Sequence, residues 1–167
     1  NRTTKIFYKP RSCDNDAIWM QVLAFVTKKS TLSFKSFKMI RRKEYAWVEY
    51  VTQLPCPKNK LADFYQRMGG LLALIYLLGG NDIHAENLIA NGEHPIIIDL
   101  ETLYQPIIGS PKVDGPPSTP LYVLSQFMLP CRTCNIEKQK SMDVSVLRNL
   151  GGQTSVINSL LISGIGE

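Results

Sequence analysis

Glycine is missing from the early part of this sequence: none precedes Gly69, so no glycine-rich loop that cradles phosphate lies ahead of it. Cysteine is sparse. Cys13, Cys56, Cys131 and Cys134 have neither the density nor the spacing of a secreted disulfide framework, and no signal peptide is expected. The single C-x-x-C of Cys131 and Cys134 has no second pair or nearby His to complete a zinc ligand set, so ordinary thiols in a reducing cytoplasm are expected. Long apolar runs are lacking as well. The longest, Leu71 to Gly80, is about ten residues, half of what a bilayer crossing needs, and reads as a core helix. Acids are absent between Lys28 and Lys43, where Lys28, Lys29, Lys35, Lys38, Arg41, Arg42 and Lys43 form either a solvated face or a basic surface for an acidic peptide or phosphate. Aromatic residues do not interleave with these cations in a base-stacking pattern, which argues against nucleic acid.

What is present suffices for one domain or part of one: 167 residues, 44% of them hydrophobic, with a modest net charge of +5. Because strand-like residues follow closely on Asn1, the chain is expected to be cut from a longer protein. Lys5 to Lys9 alternates as a strand until Pro10, which has no amide hydrogen to donate. Asp14 to Lys28 reads as a helix with one buried face, and Leu32 to Arg41 with Tyr45 to Thr52 as two antiparallel strands. Pro55 and Pro57 mark a hinge. Leu61 to Leu78 has the i, i+3, i+4, i+7 spacing of a packed helix, weakened at Gly69 and Gly70 and stopped at Gly79 and Gly80. A strand at Leu88 to Ala90, an Asn91-Gly92 turn and a strand at Pro95 to Ile98 follow. Gln105 to Pro120, with five prolines, reads as an irregular loop, and Leu121 to Pro130 and Ser145 to Ile162 as partly helical.

Polar residues gather at the ends of that hairpin: Asn81, Asp82, His84, Glu86 and Asn87 before it, Asp99 and Glu101 after it. Phosphoryl transfer requires a carboxylate to orient or deprotonate the attacking hydroxyl, an amide or carboxylate pair to hold magnesium, and a lysine to neutralise phosphate. Asp82 and Asn87 have the D-x-x-x-x-N spacing of a protein-kinase catalytic loop, and Asp99 stands where those enzymes place the magnesium aspartate of D-F-G. Lys9 on its strand would be the phosphate lysine, and Glu49 to Val51 the hinge facing adenine. Each piece alone is weak; their occurrence in the order of a bilobal kinase is the signal. The fold class expected is therefore α+β, a partial kinase-like bilobal core with a sheet-rich part over 1–54 and a helical part over 55–167.

The stretches YKPRS (Tyr8 to Ser12), YAWVEYV (Tyr45 to Val51) and NDIHAENLIANGEHPIIIDLETLYQP (Asn81 to Pro106) resemble the dehydratase domain of lanthipeptide synthetases of the LanM type. VLSQFMLP and DVSVLRNLGG do so more weakly. The resemblance implies a kinase-like fold that phosphorylates Ser and Thr of a leader-bearing precursor peptide with ATP and Mg2+, then eliminates phosphate to dehydroalanine and dehydrobutyrine. Zinc would belong only to a separate cyclase domain. Position by position, it implies that Lys9 contacts ATP phosphate, Asp82 orients or deprotonates the hydroxyl, Asn87 and Asp99 bind magnesium, and His84 and Glu101 belong to the same site. For His84 the plainer role is a loop-ordering hydrogen bond; His94 is expected to be exposed, and Arg11 to touch either phosphate or a carboxylate. Two departures from the pattern stand out. No glycine-rich loop precedes Lys9, and the helix after it has no Glu to pair with that lysine, leaving Asp14 or Asp16. The isolated chain is accordingly expected to be inactive or weak. The rivals are a small-molecule kinase of the aminoglycoside phosphotransferase type, which also has D-x-H-x-x-N followed by I-D-x-[DE], and an inactive kinase-like module that grips a peptide.

Overall fold

The computed structural model describes residues 5–104 and, beyond them, 123, 126–130, 132–135, 140–143 and 145–147. Strand β1 (Ile6–Lys9) ends where Pro10 removes the next ladder donor, and helix α1 (Asp14–Lys29) begins four residues on. Its first turn carries Asp14 and Asp16 and its last turn Lys28 and Lys29, charges that complement the helix dipole. Strands β2 (Met39–Arg41) and β3 (Ala46–Glu49) complete an antiparallel sheet of order β1-β3-β2, with Tyr8 opposite Trp47 and Ile40 opposite Trp47 on the other side. After a 3-10 turn comes helix α2 (Leu61–Leu77), then the hairpin of β4 (Leu88–Asn91) and β5 (His94–Ile97). A further hairpin pairs β6 (Arg132–Asn135) with β7 (Lys140–Asp143). The architecture is α+β. No helix among the described residues is long and apolar enough to cross a membrane.

Two apolar clusters hold these elements. Trp19 and Leu23 of α1 meet Phe64, Met68, Leu71 and Ile75 of α2, whose spacing places them on one face of that helix. Cys13, Phe37, Ala46 and Val48 form the second cluster under the sheet. Alternation along β5 joins the two, because Ile97 points into the helical cluster and Ile96 into the sheet cluster. The base of the hairpin is thereby clamped from both sides, which fixes where residues 98–101 leave it.

Several expectations are corrected here. Only Met39–Arg41 of the strand expected from Leu32 onward is regular, because side chains take the backbone donors ahead of it: Phe34 N–H bonds Thr27 Oγ1 at 3.0 Å and Lys38 N–H bonds Glu49 Oε2 at 2.8 Å. The hairpin turn is one residue later than expected. Asn91 pairs with His94, and the loop is Gly92-Glu93 with Gly92 at φ +62°, the left-handed position that suits glycine at the first place of a type II′ turn. The Gln105 to Pro120 loop and nearly all of Ser145 to Ile162 lie outside the described residues; 126–129 and 145–147 form turns and bends, and the β6–β7 hairpin has no counterpart in the sequence reading.

The two glycines inside α2 differ. A Cβ on Gly70 would stand 2.8 Å from the Phe34 ring and 2.9 Å from Leu32 Cδ1, whereas one on Gly69 would meet open space. The close approach at Gly70 is to the irregular segment before β2, not to a second helix. Gly69→Ala is expected to stabilise the protein by about 1 kcal/mol through helix propensity, while Gly70→Ala costs about 1–3 kcal/mol from overpacking. Urea denaturation of both variants checks this, and equal shifts would show that the Phe34 contact carries no energy.

Candidate active site

The turn between β1 and α1 brings the first charged group together. Lys9 Nζ donates to the Ile98 carbonyl at 2.7 Å and to Asp16 Oδ1 at 3.4 Å, and stands 3.7 Å from Asp99 Oδ1. Arg11 Nη2 bonds the same Asp99 oxygen, Nη1 lies 3.6 Å from Asp16 Oδ2, and Nε lies 3.4 Å from Glu101 Oε2. Asn15 on α1 donates to the carbonyls of Glu101 and Leu103, both at 3.2 Å, and so ties the segment after the hairpin to the helix. Asp16 is fully buried. Burial pushes its carboxyl above the usual carboxylate range, against the pull of Lys9 and Arg11. Of the two candidate partners for Lys9 it is therefore Asp16 that pairs with it; Asp14 instead accepts from Ser12 and pairs with Arg41.

The second group is the loop before β4. Asp82 is exposed and sits at φ +57°, a conformation few L-residues other than Asn and Asp adopt. Its carbonyl accepts from Asn87 Nδ2 at 3.0 Å. His84 caps the short 3-10 turn Ala85–Asn87, Nδ1 accepting from Glu86 N–H at 3.3 Å, and its Nε2 lies 3.4 Å from the Asn87 amide nitrogen. The loop-ordering role weighed for His84 is thus present. The backbone joins the two groups: Ile98 N–H bonds the Asn87 carbonyl at 2.9 Å, and Thr102 Oγ1 donates to the Asn81 carbonyl.

Glu49 and Val51 lie elsewhere. They line a cleft of about 320 Å³ with Lys35, Phe37, Tyr50 and Asn91. The Glu49 carboxylate is engaged by Lys38 N–H, and Asn91 spans the cleft from Lys35 Nζ at 2.6 Å to the Thr52 carbonyl at 2.7 Å. Val51 packs on the same apolar cluster as Ile98, whose carbonyl holds Lys9. Of the hinge candidates, Val51 therefore shares an apolar core with the charged site.

His94 corrects another expectation, being partly buried on β5 with Nδ1 lacking a hydrogen-bond partner. Burial, reinforced by the nearby Arg67 guanidinium, pushes its pKa below the ordinary imidazole value. A depressed folded pKa contributes stability above the unfolded value of about 6.5 that is lost as pH falls through the folded value. The unfolding midpoint is therefore expected to drop as pH falls below about 6.5, and His94→Gln to flatten that part of the profile.

No three His, Cys, Asp or Glu side chains converge as a metal cage among the described residues. Magnesium needs no such cage, since it takes one or two protein oxygens and completes its shell with water and phosphate. The Asp99 carboxylate and the Asn87 amide are hard oxygen donors of that kind. Cys13 and Cys56 are buried thiols whose pKa burial raises, which makes them unreactive; Cys131 lies outside the described residues.

Pattern reading allowed Arg11 a carboxylate partner, which it has, but missed that it engages Asp99 and Glu101 together and that Asn15 tethers the same segment, since these contacts join residues more than 80 positions apart. A comparison with protein families matches the whole chain, residues 1–167, to the domain of unknown function DUF4135. The chain is also 37% identical over 111 residues to the lacticin 481/lactococcin biosynthesis protein LcnDR2 of Lactococcus lactis subsp. lactis. That alignment takes in 60% of the chain and spans 12% of the relative's length.

Proposed function

Because the chain belongs to the DUF4135 family, and with it to the class II lanthipeptide synthetases, we propose that its charged site transfers phosphate from ATP to Ser and Thr hydroxyls of a leader-bearing precursor peptide. Phosphate elimination to dehydroalanine and dehydrobutyrine would follow in the whole protein. The observation that carries the proposal is the reach of Lys9 across 89 residues to Ile98, with Asp16 and Asp99 beside it. A strand lysine, a helix carboxylate and a carboxylate just past a hairpin form the grouping that phosphoryl transfer uses. In this proposal the arrangement is that of a partial kinase-like core, with the elements before residue 55 above the site and those after it below.

Asp82 accepts the hydroxyl proton as the peptide oxygen forms its bond to phosphorus and the bond to the leaving ADP oxygen breaks. Its exposure lets a substrate approach from solvent, and the Asn87 bond to its carbonyl holds the loop in the strained conformation that presents it. Lys9, kept in place by Ile98 and Asp16, faces the phosphates. Asn87 and Asp99 would hold magnesium, which when bound neutralises charge on the phosphate oxygens. His84 orders the loop, and Glu101 restrains Arg11. Glu49 and Val51 are assigned to adenine on chain order alone.

Mass spectrometry of a precursor peptide incubated with the intact protein, ATP and Mg2+ tests the proposal. Phosphorylated and then dehydrated peptide is expected. An unchanged peptide together with phosphorylation of an aminoglycoside would move the assignment to the small-molecule kinases.

A further inference from the structure

Arg11 occupies the very carboxylate assigned above to magnesium. Its guanidinium bonds Asp99 Oδ1 and stands 3.4 Å from Glu101 and 3.6 Å from Asp16, a fork of donors spread over three acids. Lys9 stands farther from that oxygen, at 3.7 Å, and its ammonium is anchored on the Ile98 carbonyl at 2.7 Å. The two cations face three carboxylates, so the group as it stands carries one excess negative charge and repels a bare triphosphate. A divalent ion at Asp99 would reverse that sign, yet the positive charge of Arg11 on the same carboxylate opposes its entry.

The surroundings offer Arg11 a second position. Asp16 is fully buried and its Oδ2, the oxygen nearest Arg11, makes no hydrogen bond. Arg11 and Asp99 are both about one-third exposed, so their contact can exchange with solvent ions, whereas Asp16 stays fixed. We propose, resting on the assignment of Asp99 to the metal, that Arg11 is a placeholder cation. It neutralises Asp99 and Glu101 in the ligand-free protein, and when metal and nucleotide arrive it leaves Asp99, bonds Asp16 Oδ2 and turns its remaining donors to phosphate. Arg11 is then a binding residue for the nucleotide and an obstacle to metal without nucleotide. Metal and nucleotide consequently load together.

The test is Mn2+ binding to the nucleotide-free intact protein, followed by electron paramagnetic resonance, with ATP affinity measured alongside. Arg11→Gln is expected to tighten the Asp99-dependent Mn2+ binding roughly fivefold, the size of one partly screened charge contact, and to weaken Mn-ATP binding by a similar factor. Arg11→Lys keeps the charge without the fork; it is expected to return Mn2+ affinity to the wild-type value while leaving Mn-ATP weakened, and it serves alone if the Gln variant does not fold. Wild-type Mn-ATP affinity in Arg11→Lys, or wild-type Mn2+ affinity in Arg11→Gln, overturns the placeholder while Asp99 remains the metal carboxylate. Mn2+ binding that Asp99→Asn leaves intact overturns both assignments.

Discussion

Asp82→Asn is expected to slow phosphate transfer to a Ser or Thr peptide by roughly 10²–10⁴-fold, the usual worth of a positioned general base, with little change in the KM for peptide or ATP. The substitution keeps the shape of the side chain and suits the left-handed backbone at φ +57°, so the loop should hold. What disappears is the oxygen able to take a proton. Ile83 N–H still bonds the Gln126 carbonyl, and Asn87 still bonds the carbonyl of residue 82, because both contacts are made by main chain at that end. Quenched-flow assays with labelled ATP separate the alternatives. A raised KM at unchanged kcat would mean that Asp82 binds substrate and does no proton transfer.

The second large effect is on stability. Lys9→Met leaves the buried Asp16 without its ammonium partner, and removing one member of a buried pair costs about 3 kcal/mol, the low end of the usual range since Lys9 is partly exposed. The pH dependence follows from the direction of the Asp16 shift. Its folded pKa is raised by burial, so its contribution is fully present below the unfolded value of about 3.9 and is lost as pH rises through the folded one. Losing Lys9 raises the folded value further and carries that loss to higher pH. The variant is therefore expected to be weakest near neutrality and to regain part of the difference on acidification, with Lys9→Met/Asp16→Asn recovering most of it at neutral pH. Urea midpoints across the pH range check this; additive costs in the double variant would mean that the two residues do not interact.

Periodicity made the two long helices legible, because each buries one face and its apolar residues repeat accordingly. By contrast, β1 and the β4–β5 hairpin were legible from their bounds, Pro10 and the Asn91-Gly92 turn, although β1 leaves Ile6, Phe7 and Tyr8 exposed. The order of charged residues around that hairpin was legible for a different reason: chemistry constrains their types and spacing. The irregular stretch over residues 32–38 was not, since Leu32, Phe34 and Phe37 give it an apolar rhythm while Thr27 and Glu49, distant in sequence, take its backbone donors. Nor could sequence choose between Asp14 and Asp16. Both lie in the first turn of α1, and only the crossing of β1 over that turn decides which faces Lys9 and which reaches Arg41. His94 misled because it follows the Gly92 turn with no motif around it, whereas on β5 it pairs with Asn91 and lies near Arg67 of α2. The β6–β7 hairpin escaped notice because Arg132–Asn135 and Lys140–Asp143 are short and polar, without the β-branched and aromatic enrichment of strands.

A thermal-shift titration with Mg-ATP, run on the protein and on Asp99→Asn, is the most direct test that this is a nucleotide site. A ligand that binds only the folded state stabilises it by about 2.7 kcal/mol at a hundredfold excess over Kd. A concentration-dependent rise in Tm that Asp99→Asn abolishes is expected. No rise in a folded wild-type protein, or an equal rise in both, would remove Asp99 from the metal and nucleotide chemistry and with it the phosphoryl-transfer proposal.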